Sequence, residues 1–215
     1  MPRRAVMFDL DGTLADTLTD LAHAGNHALA AVGRPTFPVA RYNTLAGQGL
    51  DRLLQDALGP DHPHLVPPTR DAFLHHYEQH RYDHTQPFPG IAPLLDQLVA
   101  RGITLAAMSN KPHAATADMI ERLFAGWPFA AALGQRPGVP VKPDPQAPLE
   151  ICETLGLAPE HWAYVGDTDV DMKTGRAAGF LTVGVTWGFR AEAELLAAGA
   201  HHIIHRPADL LPLLR

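Results

Sequence analysis

Short apolar runs recur along the chain at 5–8, 103–108, 129–133, 162–165, 181–185 and 202–204, and this rhythm constrains its fold most. Runs this brief, apolar at nearly every position, are what strands covered on both faces look like. Between most of them lie stretches with helical spacing, at 91–100, 114–124, 146–155, 169–178 and 191–198. Gly102, Gly156, Gly179 and Gly199 each follow such a stretch, where a helix C-terminus favours a residue that enters the left-handed region cheaply. Strand and helix in alternation predict a parallel sheet with helices on both faces, a Rossmann-like three-layer α/β/α core.

One interval breaks the rhythm. About ninety residues separate the first two runs, where a crossover usually needs only ~12 to 30. This interval offers no strand pattern but has helical spacing at 17–32, 39–45, 50–58 and 69–84, punctuated by Gly33-Arg-Pro35, Gly47-Gln-Gly49, Gly59-Pro60 and Pro67-Pro68. The expectation is an α/β core formed by residues 1–15 and 87–215, with an all-helical second domain inserted at 16–86.

Composition narrows the function classes. With 46% hydrophobic and 19% charged residues the chain has an ordinary globular balance. A net charge of −6 argues against a nucleic-acid or anionic-membrane partner. A single cysteine, Cys152, cannot form an intramolecular disulfide. The apolar run after Met1-Pro-Arg-Arg is too short for a signal-peptide core, and no run of 18 apolar residues exists. The expectation is a soluble cytoplasmic protein. Lysine is scarce, at three (Lys111, Lys142, Lys173) against 14 arginines, so each lysine invites a question.

The chemistry-bearing residues gather at the ends of the apolar runs, where open parallel sheets bind their ligands. Asp9 and Asp11 lie two apart after the first run, followed by Gly12 and Thr13. Taken alone, a tight turn or a helix N-cap accounts for these residues equally well. An EF-hand does not, because its later ligands are missing. After the run at 162–165 come Asp167, Asp169 and Asp171, three carboxylates that repel one another unless a cation or a basic group is present. Mg²⁺ suits such hard oxygen ligands, while Asp169 also reads as a solvated residue at a helix N-terminus. Ser109-Asn110-Lys111 follows the second run just before Pro112, which reads as the opening of a helix whose amides bind anions. Lys142 sits in a proline-restricted turn, Val141-Lys-Pro-Asp-Pro145. The thirteen histidines read as surface or partly buried, Cys152 as core, and Trp187-Gly188 as packing ahead of a place at the site edge.

The ordered set Asp9-x-Asp11-Gly-Thr13, Ser109-Asn110, Lys142-Pro143 and Gly166-Asp167-x-x-x-Asp171 resembles the four motifs of the haloacid dehalogenase superfamily, across the whole chain. Ser109-Asn-Lys-Pro112, the segment 183–188, and Ala200 with Ile203-Ile204 resemble the superfamily's phosphoglycolate phosphatases. The resemblance implies a small helical cap between motifs one and two, and a Mg²⁺-dependent phosphatase acting on a small phosphorylated metabolite. It implies Asp9 as nucleophile and Asp11 as general acid and base. Asp9, Asp167 and the Asp11 carbonyl would be metal ligands, with Asp171 supporting. Ser109, Lys142 and the amides around Gly12, Thr13 and Asn110 would clamp the phosphate.

Asp11 separates the chain from dehalogenases, ion-pumping ATPases and phosphonate hydrolases, none of which has an aspartate there. The interval 16–86 also lacks the lysine a phosphonatase requires. A sugar-phosphate mutase, a non-catalytic phosphate binder, or a phosphatase for pyrophosphate, nucleotides or sugar phosphates remain open alternatives. In the insert, Gly47, Gln48 and Gly49 form the candidate specificity loop. Arg52 or Arg41 is the expected partner for a substrate carboxylate, because arginine binds carboxylates in bidentate fashion.

Overall fold

The computed structural model describes residues 3–215; Met1 and Pro2, part of the segment read for a leader, lie outside them. The chain begins with β1 (Ala5–Phe8) and a two-residue strand, β2 (Ala15–Asp16). The helices α1 (Leu18–Ala31), α2 (Tyr42–Leu45), α3 (Leu50–Leu58) and α4 (Val66–His80) follow. After β3 (Gln86–Pro87) come α5 (Ile91–Ala100), β4 (Thr104–Pro112), α6 (His113–Phe124), β5 (Phe129–Gln135) and α7 (Gln146–Leu155). The remainder is β6 (Trp162–Gly166), α8 (Asp169–Ala177), β7 (Leu181–Val185), α9 (Glu192–Ala197), β8 (His202–Ile204) and a 3-10 segment, Pro207–Leu214.

Six strands form one parallel sheet in the order β5-β4-β1-β6-β7-β8. The first strand is therefore central, and the chain runs outward from it on both sides. That creates a crevice at the carboxyl end of β1, between β4 and β6. All four β1 residues are fully buried. Val6 and Phe8 join one apolar layer with Leu94, Leu98 and Met119, whereas Ala5 and Met7 join the opposite layer with Ile151, Trp162 and Phe180. Two-sided burial is why β1 reads as a continuous apolar run. Each large side chain so placed contributes about 1.5–3 kcal/mol.

The helices of residues 16–86 surround an apolar cluster of their own, built from Leu21, Leu29, Tyr42, Leu54, Phe73 and Tyr77, with Phe189 reaching in from the core. Gly25 in α1 is a close-approach position, since a Cβ there would lie 2.5 Å from the Tyr42 ring. The expected helix at 69–84 instead spans Val66–His80. Pro67 and Pro68 occupy its first turn, where a missing N–H leaves no helical bond unmade. The expected helix at 39–45 is a 3-10 turn running into the short α2. β2 and β3, which pair antiparallel where the chain enters and leaves the insert, were too short to carry a pattern.

Asp20 ties those two crossings together. Its carboxylate accepts hydrogen bonds from the Thr85 amide (2.8 Å) and hydroxyl (2.7 Å) and from the His84 amide and Nδ1 (2.8 Å). Burial pushes the Asp20 pKa up, but the bonds from Thr85 and His84 outweigh it and hold the group below its ordinary value. A depressed carboxylate stabilises the fold above its unfolded pKa of about 3.9, and the contribution is lost as the pH falls through the lower folded value. Asp20→Ala should cost about 1–3 kcal/mol at neutral pH and flatten the loss of stability below about pH 4, as read by urea melts across pH. No described helix is long and apolar enough to cross a membrane.

Candidate active site

β1 ends where its chemistry begins. The Asp9 amide still donates to the Val165 carbonyl at 2.9 Å, which fixes the residue as an extension of the central strand. Leu14 and Ala15 then fold back onto the Leu10 carbonyl in a tight turn that Gly12 makes possible at φ 84°. A Cβ on Gly12 would stand 2.3 Å from Asp167 Oδ2, so only glycine lets the two motifs meet.

Lys142 lies between two carboxylates, 2.8 Å from Asp9 Oδ1 and 2.7 Å from Asp171 Oδ1, with its side chain buried. Asn110 holds the lysine backbone: its Oδ1 accepts from the Lys142 amide (2.8 Å) and its Nδ2 donates to the Lys142 carbonyl (3.2 Å). Asp171 is fixed in a capping box at the start of α8, where Oδ2 accepts from the Thr168 hydroxyl (2.6 Å) and amide (3.0 Å). Asp167 accepts from the Thr13 hydroxyl (2.9 Å) and the Phe189 amide (2.8 Å). Ser109 Oγ lies 3.4 Å from Asp11 Oδ2. The structure thus gathers Asp9, Asp11, Ser109, Asn110, Lys142, Asp167 and Asp171 at one end of the sheet. Two side chains of these motifs are already engaged. The Thr13 hydroxyl is committed to Asp167, and the Asn110 amide group to Lys142 and the Gly47 carbonyl, leaving only their backbones for a phosphate. Asp169 pairs with Lys173 outside this group.

Asp9, Asp167 and Asp171 bring ligand oxygens within 4.8 Å of one another in full burial. Three ionised carboxylates facing one ammonium leave two uncompensated negative charges. Burial first, then Asp171, pushes Asp167 up to about 7. Asp9 is likewise raised, by burial and by the neighbouring carboxylates, against the pull of Lys142. Lys142 itself is held above the usual lysine value: burial opposes its charge, but Asp171 and Asp9 more than compensate. The donor set fits a hard divalent cation, with all-oxygen ligands and a charge deficit of the right size. Asp9 and Asp167 could hold it through carboxylates and Asp11 through its carbonyl.

Asp9 and Asp11 line a cavity of about 240 Å³ between the sheet end and the helical insert. Gly47 and Gly49 line it; a Cβ on Gly47 would lie 3.1 Å from Thr168. Gln48 is exposed and outside the lining. Arg52 and Arg41 are outside it too. The apolar face of α3, carrying Leu53 and Leu54, turns inward and leaves Arg52 exposed and paired with Asp56, while Arg41 bonds Thr44. The cation in the expected place is Lys111, buried 3.2 Å from Asp11 Oδ1 and donating to the Tyr77 hydroxyl at 2.8 Å. It stands inside a strand, because β4 runs on to Pro112 through a register shift instead of stopping at Met108.

The loop after β7, read as packing ahead of the site edge, frames the site. Trp187 Nε1 donates to the Thr13 carbonyl (3.0 Å), and Gly188 passes so close that a Cβ would stand 2.3 Å from both Asp167 Cβ and the Gly12 carbonyl oxygen. Arg190 donates to the Ala46 carbonyl at 2.9 Å, joining the sheet end to the insert loop. The Trp-Gly pair at a strand end was the available signal. The buried Cys152, its thiol pushed up to about 11 by burial, is core as expected.

The chain is similar to known proteins along nearly its whole length. The profile of the haloacid dehalogenase-like hydrolase family matches residues 6–185. A phosphoglycolate phosphatase of Yersinia pseudotuberculosis is 34% identical, covering 98% of this chain and 93% of the relative. One from Escherichia coli K12 is 32% identical, covering 98% and 92%. A crystal structure from Lactobacillus delbrueckii superposes with a TM-score of 0.91 at 31% identity, covering 100% and 99% of the two chains. A haloacid dehalogenase-like family hydrolase from Streptococcus pneumoniae gives 0.89 at 26% identity, covering 99% of each. The chain belongs to the haloacid dehalogenase-like hydrolases.

Proposed function

We propose that the protein is a cytoplasmic Mg²⁺-dependent phosphatase that hydrolyses 2-phosphoglycolate through an aspartyl-phosphate on Asp9. The observation that carries this reading is the placement of Asp9 at the tip of the central strand, 2.8 Å from Lys142 and lining a small cavity with Asp11. The phosphoglycolate phosphatases named above supply the substrate.

Asp9 attacks phosphorus and forms an acyl-phosphate bond as the bond from phosphorus to the ester oxygen breaks. Asp11 delivers its proton to that departing oxygen, then takes a proton from the water that attacks phosphorus and frees Asp9. Lys142, Ser109 and the backbone amides around Gly12 and Asn110 hold the transferring oxygens. Asp171 keeps the Lys142 ammonium aimed at Asp9. A bound Mg²⁺ supplies positive charge that lets an anionic nucleophile meet an anionic phosphate. Residues 16–86 act as a cap that excludes water while the ester is cleaved, over a core of 1–15 and 87–215.

Phosphate release from a panel of metabolites tests the reading. With Mg²⁺ the expected order places 2-phosphoglycolate well above sugar phosphates, nucleotides and pyrophosphate. EDTA should suppress release about 100-fold or more, and added Mg²⁺ should restore it. Equal rates across the panel would sink the substrate assignment; no release from any member would sink the phosphatase.

A further inference from the structure

Lys111 has no part in the steps above, yet it is among the most constrained side chains of the cavity. Its ammonium lies between the core and the helical insert, 2.8 Å from the Tyr77 hydroxyl and 3.2 Å from Asp11 Oδ1. Both Lys111 and Tyr77 are more than nine-tenths buried. The contact with Asp11 is an ion contact without hydrogen-bond alignment, since Asp11 Oδ1 is buried with no hydrogen-bond partner. An ammonium has three donors, and Tyr77 takes only one. The insert side of the cavity carries the apolar Leu21, Leu53 and Phe73, together with Glu78 and Arg81. Arg81, the cation that the insert itself contributes, donates through Nη2 to Asp118 at 2.8 Å, while its Nε is buried without a hydrogen-bond partner.

From this we infer that Lys111, oriented by Tyr77, forms the leaving-group subsite and binds a carboxylate attached one carbon from the phosphate ester oxygen. The inference rests on the proposed phosphatase reading and adds the residue that selects its substrate. Asp11 must reach the ester oxygen to protonate it, so a group bound to Lys111 lies just beyond that oxygen. In a 2-oxy acid the ester oxygen and the nearer carboxylate oxygen are about 3 Å apart. The Asp11–Lys111 separation of 3.2 Å matches that spacing. A longer leaving group would carry its anion past the ammonium and toward the apolar side chains of the insert. A neutral one would leave a buried charge facing Asp11 alone, which is how a polar site rejects a substrate lacking the complementary group.

The test compares kcat/KM for 2-phosphoglycolate with that for ethyl phosphate, which has the same chain length but no carboxylate. In Lys111→Met the ratio of the two should fall about 100-fold, chiefly through KM for phosphoglycolate. Tyr77→Phe keeps the ring and removes only the hydroxyl, and should lower the ratio about 3- to 10-fold in the same direction. Thermal melts of both variants establish that they are folded; if Lys111→Met is not, Tyr77→Phe carries the test. A ratio unchanged in the folded variants, with both substrates slowed equally, would show that Lys111 serves Asp11 or the seating of the insert, and would overturn the subsite. A wild type with no preference for phosphoglycolate over ethyl phosphate would overturn the substrate reading along with it. A preference that survives both substitutions overturns the subsite alone.

Discussion

Asp9→Asn is expected to lower phosphate release by about ten-thousand-fold or more while leaving the protein folded. The amide has the shape of the carboxylate but no anionic oxygen to attack phosphorus, so the covalent route closes. The fold should tolerate the change because Asp9 is a buried carboxylate raised by desolvation and by Asp171 and Asp167. Removing its charge relieves that crowding, and Lys142 keeps Asp171 at 2.7 Å. The melting temperature should therefore equal or exceed that of the wild type, as thermal unfolding followed by circular dichroism would read. Lost activity with retained stability separates a nucleophile from a structural aspartate.

Lys142→Met has the opposite stability signature. Activity should fall about 1000-fold, because in the proposed mechanism the ammonium 2.8 Å from Asp9 is also the charge that receives the transferring oxygens. Stability should fall by about 3–5 kcal/mol in a chemical melt, because Asp9 and Asp171 are left buried without their cation. Divalent cation in the melt should recover part of that loss, since a metal can take over some of the compensation at Asp9. Loss of activity with no loss of stability would mean that the buried pair is not coupled as its geometry implies.

How much of this was legible in the sequence differs from residue to residue. β1 could be read because two-sided burial leaves an unbroken apolar run, and the strand ends could be read because a parallel sheet puts its chemistry there. The interval between β1 and β4 was legible as too long for a simple crossover, and α1 to α4 lie within it. Arg52 misled because arginine suits a carboxylate, although the spacing of Leu50, Leu53 and Leu54 already turns that face inward and Arg52 outward. Lys111 stayed hidden for another reason. Its meaning comes from Asp11 and Tyr77, which are remote in sequence and meet it only when α4 is laid over the end of the sheet. Gly188 was similarly opaque: a glycine after a strand is common, and only Asp167 and Gly12 on either side explain why no larger residue fits.

The central claim is that Asp9 becomes phosphorylated. Rapid acid quench during turnover of labelled 2-phosphoglycolate should trap phosphate on the protein. The label should be released by hydroxylamine, as an acyl phosphate is, map to the peptide containing Asp9, and be absent from Asp9→Asn. Turnover without any protein-bound label, together with activity persisting in Asp9→Asn, would contradict the account.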